Sequence, residues 1–197
     1  MNQNIVKQSL GSFSHFFRFF LLTVALFQCS HLSALTPTYE TFDSQSECPF
    51  CCDEVIRRQQ YYESDHFRVL YNYQPVLEGH SMVMPKRHIK MWEELTSIEL
   101  EDMHRVMRLV QAAFTEVYGT GEYLMCCQNG LNAGQTVAHL HLHMIPRQER
   151  NVWTKLQLWA AMLGRPLTLY FPLNEEQLNR ATAPLKEVCD RLEYEGF

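Results

Sequence analysis

Three histidines alternate with aliphatic residues in one short stretch of the chain, in the order His139, Leu140, His141, Leu142, His143 and Met144. A period of two is the pattern of a half-buried β-strand, because successive side chains of a strand leave by opposite faces. The pattern predicts a strand over Val137–Ile145 with three imidazoles on one face and aliphatic chains on the core face. Pro146 cannot donate a backbone hydrogen bond, so the strand is expected to end there.

A loop rich in small and polar residues precedes this strand. Gly130, Asn132 and Gly134 indicate turns. The loop is therefore expected to deliver Gln135 and Thr136 to the same end of the sheet as the imidazoles.

Three neighbouring imidazoles allow two chemistries. In the first, the middle imidazole attacks phosphorus while its neighbours hold phosphate oxygens. In the second, His139, His141 and His143 ligate a catalytic metal, as in three-histidine zinc sites. A strand that is rich in histidine for structural reasons alone is the third alternative.

The segment AGQTVAHLHLHMIPR resembles the signature of the histidine-triad superfamily of nucleotide hydrolases and transferases. The resemblance implies that His141 forms a covalent nucleotidyl intermediate and that His143 contacts phosphate. It further implies phosphate contacts for Gln135 and Thr136. Gln128 matches a glutamine that faces the phosphates in the fragile-histidine-triad branch, which acts on dinucleoside polyphosphates.

A second motif is the Cys-x-x-Cys pair of Cys48 and Cys51. Such a pair is either a redox couple or half of a zinc site, and two cysteines packed as small hydrophobic side chains are the third reading. Zinc needs two more ligands, for which His88 and His139 are available. The resemblance supports a structural zinc on these four residues, and it requires no catalytic metal.

Two further residues gain a role through the resemblance. Asn72 matches the residue that binds the nucleotide ribose, and His80 matches a histidine that orients the triad. Without the resemblance, Asn72 would be interpreted as a turn residue and His80 as a buried imidazole with a structural role.

Alternation and turn residues predict four other strands, over Glu54–Glu63, His66–Tyr73, His80–Met84 and Glu122–Gln128. A capping box at Thr96 and Glu99 begins a helix that continues to Tyr118. Its apolar stripe is predicted to be Leu100, Met103, Met107, Val110, Phe114 and Val117. The fold class is therefore α+β: a five-stranded antiparallel sheet, one long amphipathic helix and a C-terminal helical extension.

The predicted domain organisation has four parts. Residues 1–35 form an apolar segment whose run at 19–27 has the length of a signal-peptide core but is too short to span a bilayer. An upstream start codon or an apolar surface helix would also explain it. Residues 36–47 form a linker, 48–150 the catalytic domain and 151–197 the extension.

Within the extension we expect an apolar helix or a partner-facing segment over 152–163, a short strand over 167–171 and a helix capped by Asn174. Trp153 and Trp159 are interpreted as core residues rather than base-stacking ones.

The charge balance excludes some partners. The chain has 17 basic and 22 acidic residues and a formal charge of −5, which gives no electrostatic basis for binding a nucleic-acid polymer. The expected partners are a purine nucleotide substrate and a second copy of the chain in a homodimer. The expected enzyme cleaves at the α-phosphate of nucleoside 5′-phosphate derivatives, of the diadenosine polyphosphate or adenosine phosphoramidate type. A phosphorylase and a nucleotide-binding scaffold without turnover are the alternatives. The expected location is cytoplasmic, or exported if residues 1–35 act as a signal peptide.

Overall fold

The computed structural model describes residues 48–148 and 172–197, together with residues 152, 155, 156 and 158. The predicted apolar segment 1–35, the linker 36–47, the strand 167–171, Trp153 and Trp159 lie outside the described residues, as does most of the predicted helix 152–163. In the described part of the chain, every helix is too short or too polar to cross a bilayer.

Five strands form one antiparallel sheet in the order β1-β2-β3-β5-β4. They are β1 (Gln60–Glu63), β2 (Phe67–Tyr71), β3 (Ser81–Pro85), β4 (Tyr123–Cys127) and β5 (Leu142–Pro146). The histidine-bearing β5 is an inner strand, between β3 and β4. The predicted five-stranded antiparallel α+β fold is confirmed.

Among the described residues, three α-helices have defined bounds and accompany the sheet: α1 (Asp53–Gln59), α2 (Ser97–Tyr118) and α3 (Glu175–Tyr194). The predicted capping box of α2 is present, because Thr96 accepts from the Glu99 N–H and the Glu99 carboxylate accepts from the Thr96 N–H. Gly119 ends the helix with a φ of 70°, a left-handed conformation that favours glycine. Asn174 caps α3 as predicted.

The predicted strand over Glu54–Glu63 is wrong in its first half, which is helix α1. Acidic Asp53 and Glu54 occupy its first turn and basic Arg57 and Arg58 its last, as the helix dipole favours. Glu54 and Arg57 also form an ion pair one turn apart. These local charges outweigh the β-propensity of the valine, isoleucine and tyrosines in the segment.

The predicted strand over Val137–Ile145 is also too long at its start. The backbone turns at His139, whose N–H donates to the Val137 carbonyl, and the Leu140 N–H bonds to Ile89 outside the sheet. Regular pairing begins only at Leu142. His139 and His141 therefore precede the strand, and only His143 of the three belongs to it.

The two faces of the sheet have different partners. Helices α2 and α3 cover one face, where Leu142 and Met144 join the main hydrophobic cluster. The predicted stripe of α2 is wrong at Leu100, which is 36% exposed, whereas Val106 and Leu109 are fully buried. The opposite face carries a smaller cluster made of Cys48, Phe50, Leu70, Met82 and Met84.

Candidate active site

His141 lies in the wall of a cavity with its ring oriented by the backbone. Its Nδ1 is 2.7 Å from the carbonyl oxygen of His139, so Nδ1 carries the proton and donates it. In the neutral ring Nε2 then keeps its lone pair. Burial lowers the pKa of His141, and only 3% of the residue is exposed. The ring is therefore a neutral imidazole with a fixed tautomer and an unprotonated nitrogen.

A hydrogen bond from His80 fixes the tautomer of His143. The Val76 N–H donates to Nδ1 of His80, so a neutral His80 carries its proton on Nε2. That Nε2 lies 2.9 Å from Nδ1 of His143. Burial, and then the neighbouring histidines, lower the pKa of His80 to about 3, and burial and His141 lower that of His143 to about 4. Since both rings are neutral, His143 carries its proton on Nε2 and is a hydrogen-bond donor there.

A first cavity of about 470 Å³ has both of these imidazoles in its wall. The ring centroids of His141 and His143 are 5.0 Å apart. Asn72, predicted as a ribose ligand, also lines this cavity, and its Oδ1 accepts from the Gln74 N–H at 2.9 Å. Its side-chain amide group can therefore donate to a bound molecule. The remaining lining residues are Pro49, Phe50, Val55, Arg58, Gln59, Tyr73, Gln74, Met82, Thr136, Val137 and Leu178.

A second cavity of about 430 Å³ meets the first at two shared residues, His143 and Thr136. Gln128, predicted to face the phosphates, lines only the second cavity. The two cavities therefore flank His143, with the predicted nucleophile in the wall of one and Gln128 in the wall of the other.

The structure does not bring Gln135 to either cavity. Its side-chain oxygen accepts from the Gly130 N–H, and its side-chain nitrogen donates to the Lys90 carbonyl, both at 2.9 Å. With both ends of its amide bound to backbone, Gln135 holds the loop beside the cavities. A sequence pattern does not distinguish a glutamine that binds phosphate from one that fixes the loop beside it.

Cys48, Cys51, His88 and His139 form a cluster whose potential ligand atoms all lie within 4.8 Å of one another. Three of the sulfur–nitrogen pairs are 3.5 Å apart. Tetrahedral zinc with bonds of ~2.3 Å to sulfur and ~2.05 Å to nitrogen would separate such a pair by about 3.6 Å. The cluster therefore fits a tetrahedral divalent metal.

The protonation of this cluster also suits a metal. His139 Nε2 is 2.9 Å from the Pro85 carbonyl and donates to it, which leaves the Nδ1 lone pair directed at the cysteine sulfurs. Burial lowers the pKa of His139 to about 4, so this ligand is neutral at pH 7. Burial, and then Cys48, raise the pKa of Cys51 to about 12, so a cation would have to displace the thiol proton.

The three histidines of the alternating stretch therefore lie at two different sites. His139 points its free nitrogen into the cysteine cluster, while His141 and His143 line the first cavity. Within the described residues, the metal-ligand cluster contains neither His141 nor His143. This arrangement opposes a catalytic metal bound jointly by all three.

Sequence reasoning missed several residues of the first cavity. The ring centroid of Phe50 lies 5.1 Å from that of His141 with the two planes tilted by 69°. Gln59 reaches the cavity from the end of α1, and Leu178 reaches it from α3. Phe50 could have been suspected from its place between Cys48 and Cys51. Gln59 and Leu178 carry no such signal.

Neutral buried histidines predict acid instability. The folded-state pKa values of His80 and His143, about 3 and 4, lie below the ordinary value of 6.5. The unfolded chain therefore binds more protons between those values, and stability should fall as pH drops from about 6.5 to 4, by up to about 1.4 kcal/mol per pH unit for each histidine. Urea unfolding at a series of pH values measures this slope.

Two variants and a restricted pH range isolate the histidine contribution. His143→Gln should reduce the slope of the unfolding free energy against pH by the equivalent of about one proton. His104→Gln, at an exposed position, should leave this slope unchanged. The carboxylate of Glu99, whose pKa Arg87 holds at about 2, changes the slope of stability against pH only below about pH 4.5, where the unfolded chain takes up a proton and this stabilisation begins to be lost. Stability that is constant between pH 7 and 5 would contradict the assignment of neutral rings.

Comparisons with known proteins identify the family of this chain. The profile of the HIT domain matches residues 53–150. Adenylylsulfatase HINT3 of Arabidopsis thaliana is 30% identical over 160 residues, which cover 79% of this chain and 78% of that protein. Bis(5′-nucleosyl)-tetraphosphatase of Schizosaccharomyces pombe is 35% identical over 94 residues, covering 48% of this chain and 52% of that protein.

A solved structure shows the same fold. A zinc-bound histidine triad family protein from Mycobacterium smegmatis superposes with a TM-score of 0.55 at 23% identity, over 77% of this chain and 99% of that one. Fold, site and relatives together define an α+β protein of the histidine-triad class. The chain belongs to the HIT domain family, as the sequence resemblance predicts.

Proposed function

We propose that this protein is a hydrolase that cleaves nucleoside 5′-phosphate derivatives at the α-phosphorus through a covalent nucleotidyl-His141 intermediate. The tautomer of His141 carries this proposal. The backbone carbonyl of His139 holds the proton on Nδ1 and leaves Nε2 as a lone-pair donor in the wall of the first cavity. A neutral, oriented imidazole is the form that attacks phosphorus.

Two other residues of the first cavity supply neutral hydrogen-bond donors to the substrate. Nε2–H of His143, fixed by His80, can donate to a phosphoryl oxygen as charge spreads over it in the transition state. Thr136 lies in both cavity walls and can donate from its hydroxyl. Asn72 and Gln128 would hold the ribose side and the leaving-group side of the substrate, respectively.

The proposed reaction has two displacements. Nε2 of His141 forms a bond to the α-phosphorus as the bond from phosphorus to the leaving group breaks. Water then attacks the same phosphorus, the phosphorus–nitrogen bond breaks, and a nucleoside monophosphate leaves. In the phosphorylase alternative, inorganic phosphate replaces water in the second displacement.

The second cavity favours a bulky leaving group. Its wall includes the apolar side chains of Val76, Leu124 and Ile145, and its described lining contains neither lysine nor arginine. A volume of about 430 Å³ suits a nucleoside or a similar organic group better than a small anion. We therefore propose diadenosine polyphosphates, whose leaving group carries a second nucleoside, as the substrates that this cavity favours. Adenosine phosphoramidates, whose leaving group is an amine, are the second proposed class and follow from the family resemblance alone. The relative from Arabidopsis thaliana, named adenylylsulfatase, makes adenylylsulfate the natural comparison compound.

The four-residue cluster would hold a structural zinc ion outside the reaction. A bound zinc ion would cross-link the segment that contains Cys48 and Cys51 to His88 and His139. His139 would then be held so that its carbonyl meets the His141 ring. The family resemblance also implies a homodimer, which we include in the proposal. The cellular location remains a prediction.

The test is a substrate panel with detection of the intermediate. Purified protein is mixed with diadenosine tri- and tetraphosphate, adenosine phosphoramidate and adenylylsulfate, and products are separated by chromatography. We expect adenosine monophosphate from diadenosine tri- and tetraphosphate, whose leaving groups are bulky. We also expect mass spectrometry after rapid quenching to detect an acid-labile adduct on His141.

The panel also separates the alternatives. Release of nucleotide only when inorganic phosphate is added would identify a phosphorylase. Binding of adenosine monophosphate without turnover of any compound would identify a scaffold. Turnover without any adduct on His141 would contradict the covalent route.

A further inference from the structure

The side-chain amide oxygen of Gln59, a residue that lines the first cavity, has no hydrogen-bond partner. Gln59 is the last residue of α1, it is only 8% exposed, and its Oε1 is buried. A buried amide that lacks a partner costs stability, so such groups are rare without a reason. A ligand in the cavity could supply the missing partner.

The neighbours of Gln59 in this wall form an apolar slot. Phe50 comes from the turn between the two cysteines, Val55 from α1 and Leu178 from α3. These side chains suit the two faces of a flat aromatic ring. The imidazoles and Asn72, which would bind the phosphate and ribose, belong to the same cavity, so a nucleoside held by them would extend its base into the remaining space.

An amide at the edge of such a slot is chemically complementary to adenine. The amide oxygen accepts from the exocyclic amino group, and the amide nitrogen donates to a ring nitrogen, so that two hydrogen bonds form side by side. Rotation about the last torsion of glutamine is easy, which allows either atom to turn toward the cavity.

We propose that Gln59 is the specificity-determining residue that reads the base edge and selects adenine through its 6-amino group. This inference rests on the proposed function, since it places the nucleoside in the first cavity. The family resemblance does not indicate which side chain distinguishes one base from another, and this inference assigns that role to Gln59.

The test is a cycle of two ligands and two proteins, measured by equilibrium binding with calorimetry. The ligands are adenosine 5′-monophosphate and purine riboside 5′-monophosphate, which lacks only the 6-amino group. The wild-type protein should bind the adenine compound about tenfold more tightly or better. Gln59→Leu, which keeps the size of the side chain, should bind both compounds within about twofold of each other.

Gln60 provides a matched control. It is the adjacent glutamine, its Oε1 is also buried without a partner, and it does not line either cavity. Gln60→Leu should therefore preserve the preference for adenine while it reproduces any general effect of removing an unpartnered amide oxygen at the end of α1.

The inference and the proposed function fail in different ways. If the wild-type protein binds the two monophosphates equally, or if Gln59→Leu keeps the preference, Gln59 does not read the base. Either result would leave turnover of the substrate panel intact. If turnover and monophosphate binding are both absent, the proposed function itself is wrong and the inference falls with it.

Discussion

Substitution of His141 by asparagine should reduce turnover at least about 10³-fold while the fold is retained. The imidazole Nε2 is the proposed bonding atom, and asparagine offers no equivalent nucleophile. Its amide can still donate to the His139 carbonyl that His141 Nδ1 now meets at 2.7 Å. The loss should therefore appear in kcat rather than in the affinity for adenosine monophosphate.

His104→Asn is the control for this experiment. His104 is exposed on α2, away from both cavities, and the substitution should leave turnover within about twofold of wild type. Circular dichroism and thermal unfolding would show that both variants are folded. A His141→Asn protein that keeps more than about a tenth of the wild-type rate would exclude the covalent route through His141, because its Nε2 would then not be required for turnover.

The parts of the fold that sequence predicted well are those with local causes. The capping box at Thr96 and Glu99 and the glycine at 119 fix the ends of α2 through contacts within one helical turn. Alternation at His143, Met144 and Ile145 likewise places side chains on the correct faces of β5, because the period of a strand is two.

The failures have two causes, one local and one non-local. Val55 and Ile56 favour a strand by propensity, but charges at both ends of the segment stabilise helix α1 instead. At His139 the alternation continues in the sequence, while the backbone turns so that the ring meets cysteines about 90 residues earlier. An alternating sequence indicates which side chains share a face of a regular strand. It does not indicate which distant residues they contact.

The same limit applies inside the site. The tautomers of His141 and His143 depend on a backbone carbonyl and on His80, 63 residues earlier than His143. Gln135 has the residue type of a phosphate ligand, yet its amide bonds to loop backbone on both sides. A motif therefore identifies the residues of a site, whereas their protonation and direction follow from the packed structure.

Substitution of Cys51 by serine should remove a zinc ion and destabilise the domain strongly. Metal analysis of the wild-type protein should find one zinc per chain, since four donors fit one tetrahedral ion. A structural zinc contributes several kcal/mol to folding, which corresponds to a decrease of roughly 10 °C or more in the unfolding midpoint of a domain of this size. The loss should extend to turnover, because the carbonyl that orients His141 belongs to the ligand His139.

Cys52→Ser is the matched control, since Cys52 is adjacent in sequence, exposed and outside the cluster. It should retain zinc, midpoint and activity, whereas Cys51→Ser should lose all three. Treatment of the wild-type protein with a strong chelator should lower its midpoint toward that of Cys51→Ser and leave the variant unchanged. If Cys48 and Cys51 were a redox couple, a thiol oxidant or a reductant would change the unfolding midpoint and a chelator would not. A wild-type protein purified without zinc, and stable after chelation, would establish that Cys48 and Cys51 pack as small hydrophobic side chains or act in redox chemistry.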